Sequence, residues 1–66
     1  MEHKLIVKAL NDEGFETHFD HPEYHLVVTQ GVYNVAFTRG TFENAPVEWI
    51  IEHTKREIAR LKEVAN

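Results

Sequence analysis

The chain has 66 residues, no cysteine, and eleven Asp and Glu against seven Lys and Arg, for a formal charge of −4. A chain this short makes one domain, near the lower limit for a self-supporting core; lacking disulfides and thiolate metal sites, it folds on hydrophobic packing, alone or against a second copy of itself. The acidic balance opposes generic binding to a phosphate backbone, and no apolar stretch is long enough to cross a bilayer or to read as a secretory leader, which leaves a cytoplasmic protein as the expectation.

The first segment, MEHKLIVKALNDEG, is expected to form a short helix. Ile6 and Leu10 are four apart, as are Leu5 and Ala9, so a broad apolar arc results. Asn11, Asp12 and Gly14 end it, with Gly14 taking the left-handed conformation after the last turn. The β-branched content of KLIVKAL also admits a strand, but the four-residue spacing and the following glycine favour the helix.

FETHF then sets Phe15, Thr17 and Phe19 against Glu16 and His18, which is strand alternation. DHPE is a turn, because Asp20 can bond its own downstream backbone and Pro22 holds His21 out of the helical region. YHLVVT places Tyr24, Leu26 and Val28 on one side. QG marks a second turn, and VYNVAFT places Tyr33, Val35 and Phe37 on one side. If Phe19 lies opposite Tyr24, and Val28 opposite Tyr33, every large apolar residue falls on one face of a three-stranded meander. A one-residue slip would scatter them to both faces.

RGTFENAP reads as the connection to a final helix. Ala45 precedes a proline and should be extended, and Pro46 suits the first helical position. From there Val47, Ile50, Ile51, Thr54, Ile58, Leu61 and Ala65 form one stripe. Glu48 and Glu52 come early and Arg56, Arg60 and Lys62 late, as the helix dipole favours. The expected fold is α+β, in the order α-β-β-β-α: a three-stranded antiparallel meander with two helices on one face, spanning residues 1–66 as a single domain. The other face of the sheet stays open.

That register sets His18 directly opposite His25 on the open face, with Cβ atoms roughly 5 Å apart. Glu16 and Asp20 are their neighbours along the strand, and Val27, Thr29, Val32, Asn34 and Ala36 lie beside them. Two imidazoles and a carboxylate, with His21 in the turn, suit zinc or nickel chemistry. The spacing matches no specific metal motif, however, and the set lacks a fourth ligand, so no metal and no cofactor is expected. The same flat, modestly apolar face suits a contact with a partner or with a second copy.

A second constellation lies on the final helix. Trp49, His53, Arg56 and Arg60 share a stripe away from the apolar one. An exposed Trp above two arginines suits stacking on a base or on a partner's ring. In the alternative, Trp49 folds over Phe42 or the first helix and closes the edge of a small core. Pairing of Glu52 with Arg56 and of Glu57 with Arg60 is expected at helical spacing. Serine is absent, and Gly14, Gly31 and Gly40 are single turn glycines, so neither a nucleophile elbow nor a phosphate loop is present.

The α-β-β-β-α order and the LNDEGF junction resemble the HicA toxins of HicAB toxin–antitoxin systems, which use a double-stranded-RNA-binding-like fold. In that family a helix ends in Gly followed by an aromatic residue, matched here by Gly14 and Phe15. A histidine at the start of the second strand, usually within Gly-Ser-His, carries messenger-RNA cleavage; His25 is its nearest counterpart. EYH stands in place of Gly-Ser-His, and no basic surface is apparent. The residues themselves point to a non-enzymatic interaction module, a small regulatory or accessory protein of the kind phages and plasmids often encode. It is expected to bind a protein partner or itself through His18, His25, Val27, Val32 and Asn34, or through Trp49, His53, Arg56 and Arg60. The HicA-like reading, with His25 catalytic, is the alternative.

Overall fold

The structure is a computed structural model that describes residues 3–20 and 22–65, the side chain of Ala65 excepted. The elements are α1 (Lys4–Asp12), β1 (Glu16–Asp20), β2 (His25–Gln30), β3 (Tyr33–Phe37), α2 (Arg39–Asn44) and α3 (Val47–Ala65).

Gly14 converts helix into sheet. It sits at φ 93°, where an L side chain is strained, and donates its N–H to Asn11 C=O at 3.0 Å. Phe15 N–H reaches Leu10 C=O, also at 3.0 Å, which completes a Schellman closure and brings Phe15 into the core beside Leu10. The apolar arc of α1 is narrower than expected: Ile6 and Leu10 are buried, whereas Leu5 is 71% exposed. Packed against both β1 and α3, the helix buries one stripe only.

The three strands form an antiparallel sheet in the order β1-β2-β3. The inward residues are those expected, with Leu26, Val28, Val35 and Phe37 buried and Thr17, Phe19 and Tyr33 half-buried. The pairing differs from the expectation by two residues in each hairpin. Phe19 faces Leu26 and not Tyr24, while Val28 faces Val35 and not Tyr33. Turn chemistry is the reason. Tyr24 adopts φ 60° and belongs to the first loop, which Asp20 and His25 close. In the second hairpin Gly31 and Val32 form the turn between paired Gln30 and Tyr33, and Gly31 supplies the positive φ, 64°, at the first central position. A slip of two leaves every side chain on its own face.

RGTFEN is a short helix and not an irregular connection. Thr38 is extended, and its Oγ1 accepts from Thr41 N–H as an N-cap. Arg39 Nε donates to Glu43 Oε2 at 2.8 Å one turn on. This turn of helix inserts Phe42 into the core. Ala45 is extended before Pro46, at φ −80° and ψ 148°, as the proline demands. Pro46 C=O then accepts the N–H groups of Trp49 and Ile50 to start α3. Ile50, Thr54 and Ile58, four apart, are the buried stripe of α3. Lys55 pairs with Glu13 at 2.8 Å and Lys62 donates to Gln30 at 3.1 Å, which ties α3 to the C-terminal cap of α1 and to the end of β2. Buried residues of all three helices join the inward strand residues in one core, so the helices cover one face of the sheet.

Candidate functional site

The uncovered face is a small grid. Asp20 faces His25; His18, Val27 and Ala36 form the next row; Glu16, Thr29 and Asn34 form the third. Neighbouring strands leave His25, Val27 and Thr29 of the central strand half-buried, while the flanking positions are exposed. Thr29 Oγ1 donates to Asn34 Oδ1 at 2.8 Å across the strands. Val27 is thus the apolar centre of a flat surface with a polar margin and no Lys or Arg in the grid. Val32 does not belong to it: the residue sits in the β2–β3 turn, 85% exposed.

His18 and His25 are not opposed. With His18 facing Val27 and His25 facing Asp20, the two histidines are diagonal neighbours, a relation that separates side chains by about 7–8 Å. No ion pair joins Asp20 and His25 among the described residues, nor does any group of three His, Asp or Glu gather as a metal site there. His21, the third nitrogen of the sequence argument, lies outside the described residues.

On α3, Trp49 and His53 do come together. Their rings stack at 4.9 Å with a 10° interplanar angle, and both stand edge-on to Phe37 of β3, at 6.3 and 5.5 Å. Trp49 therefore covers Phe37 on the β3 side of the core and keeps 43% of its surface exposed. Arg60 Nη2 holds Glu57 at 2.7 Å, which keeps the Glu57 carboxyl below its ordinary range and raises the guanidinium. The expected Glu52–Arg56 pair is absent among the described residues, so Arg56 stands exposed one turn beyond His53.

A third cluster lies where the start of α1, the first hairpin and α2 meet. His3 lies 5.1 Å from the Phe42 ring, 5.4 Å from Phe19 and 5.8 Å from Tyr24. Its Nε2 is 3.8 Å from Glu43, the carboxylate that Arg39 holds. Arg39 in turn lies 5.5 Å over the Tyr24 ring, and Tyr24 stacks on Phe19 at 4.9 Å. This clasp joins the start of α1, the first hairpin and α2. Arg39 and Glu43, four apart, were its one readable signal, obscured by the glycine between them.

No family model matches the chain, and neither a curated protein nor a solved structure matches it significantly. Among the described residues, no helix is long and apolar enough to cross a membrane.

Proposed function

We propose that the chain is a small non-enzymatic interaction module that binds a protein partner, or a second copy of itself, through the uncovered sheet face centred on Val27. The observation that carries this reading is one-sided coverage: all three helices lie on one face, and the other keeps a half-buried valine inside a polar margin. Such a surface excludes water when a flat partner meets it. Trp49, His53 and Arg56 add a second patch at the β3 side, where an exposed Trp with an arginine two turns further along the same helix has the composition of a contact hot spot.

The HicA-like alternative has one observation in its favour. His25 is the first residue of β2, where that family places its cleaving histidine. Against it, among the described residues no carboxylate lies in ion-pair range of His25, and its face carries carboxylates and no Lys or Arg. Two measurements on the purified protein divide the readings. The interaction module gives a concentration-dependent mass or a co-purifying protein, with no RNA or DNA bound at physiological salt. A HicA-like domain gives salt-sensitive nucleic-acid binding, and toxicity abolished by His25→Ala.

A further inference from the structure

The geometry points to a separate site on this chain for an extended peptide, which adds to the free edge of β1 and sends alternate side chains into a groove beside α1. β2 pairs with β1 on one side and β3 on the other, so β1 has no strand on its outer side among the described residues. An edge strand presents unpaired N–H and C=O groups that a partner strand can satisfy. Beside this edge runs an open groove of about 510 Å³. Its walls are His3, the α1 residues Lys4, Val7, Lys8, Asn11 and Asp12, and Phe19 of β1, and its exposed lining is mostly apolar. An edge strand flanked by a helix-walled apolar groove supplies both halves of strand addition: backbone pairing for affinity, and a pocket for alternate side chains.

Strand geometry then specifies the guest. Successive side chains point to opposite faces, so every second residue enters the groove and the others lie along Glu16, His18 and Asp20. The groove rim carries Lys4, Lys8 and Asp12, and because Lys8 pairs with Asp12 at 2.7 Å, Lys4 is the cation left to favour an acidic guest residue. The outer row carries two carboxylates and no Lys or Arg. The complementary guest is a partner peptide with apolar and acidic residues on its groove side and basic residues on its outer side. β1 has five residues, a length of about 17 Å that a short peptide covers. A second copy of the chain is the wrong guest. Antiparallel pairing of two β1 strands along their full length sets Glu16 of one copy opposite Asp20 of the other, twice, and like charges directly opposed destabilise a ladder.

Glu16, His18 and Asp20 are also the β1 margin of the Val27 surface, whereas the groove residues Val7 and Lys8 are not, so responses at Val7 and Lys8 tell the two sites apart. The test is an NMR titration of the full chain with a capped peptide of roughly eight residues, alternating lysine with leucine and glutamate. Amide shifts are expected at residues 16–20 and at Val7 and Lys8. A peptide with its charges inverted should bind at least about tenfold more weakly, and Glu16→Lys with Asp20→Lys, both on exposed positions, should weaken the original peptide by about as much. Two further peptides carry N-methyl groups on either the odd or the even amides. Only one should lose affinity, because an added strand bonds its host through alternate amides. The proposal is overturned if both methylated peptides bind as well as the parent, if the shifts gather instead at Val27 and Ala36 or at Trp49, or if no β1 amide responds at millimolar peptide.

Discussion

The two faces of the sheet come from the same three strands, yet a substitution has different meanings on each. On the covered face Leu26 and Val28 are wholly buried, and helices from both ends of the chain close over them. One residue along, Val27 lies on the open face with Ala36 and His18 as its row neighbours. The covered face determines whether the chain folds; the open face is free to serve a contact. The largest expected effect follows from that contrast. Leu26→Ala should lose about 3 kcal/mol, through lost transfer energy and a residual cavity, whereas Val27→Ala should lose less than about 1 kcal/mol. Urea denaturation of both variants measures the difference, and equal losses would break the distinction.

Two glycines sharpen it at the next level. Gly14 and Gly40 would each gain a Cβ that meets nothing within 4 Å, so sterics does not separate them. Backbone does. Gly14 sits at φ 93° where α1 enters the core, and Gly14→Ala should destabilise by about 1–2 kcal/mol. Gly40 lies inside α2, without the positive φ, and Gly40→Ala should stabilise by about 0.5–1 kcal/mol. Thermal melts of both read the opposite signs.

The covered side also contains a flaw. Thr54 is fully buried in the middle of α3, and its Oγ1 has no hydrogen-bond partner among the described residues. Thr54→Val keeps the shape and removes the unsatisfied hydroxyl, so a gain of about 1 kcal/mol is expected in the same urea assay. A loss there would mean that the hydroxyl is bonded in solution.

The smallest effect lies on the solvent side of α3. Arg60 holds the Glu57 carboxyl below its ordinary value. A depressed carboxyl adds stability above its unfolded-state pKa and loses it as pH falls through the lowered folded value. A carboxyl-detected NMR titration should find Glu57 titrating below the ordinary carboxyl value, and Arg60→Ala should move it back toward that value.

Which side chains point inward was legible because alternation has a period of two and Phe15, Thr17, Phe19, Leu26, Val28, Val35 and Phe37 all obey it. Which residues face each other was not, because a shift of two preserves that pattern. Tyr24 decides the first hairpin through a left-handed backbone that nothing in its residue type announces. Gly31 decides the second, and there the signal was present: glycine followed by another residue is the pair that begins a tight hairpin with positive φ. The opposed His18–His25 pair depended on the shifted register and disappears with it. The shared stripe of Trp49 and His53 remains, because it depends on helical spacing and not on strand register, and on it the two rings stack. The His3 clasp escaped because, apart from the Arg39–Glu43 pair at helical spacing, its members are scattered from His3 to Phe42 and meet through tertiary packing.

The account rests on Val27 marking a contact surface that folding does not need. The direct test compares wild type with Val27→Asp, both first matched for urea midpoint, in affinity capture from the native host with mass measurement alongside. A co-purifying protein or a concentration-dependent mass that is present in wild type and lost in Val27→Asp is the expected result. Retention of the same partner or the same assembly by the aspartate variant would contradict the account.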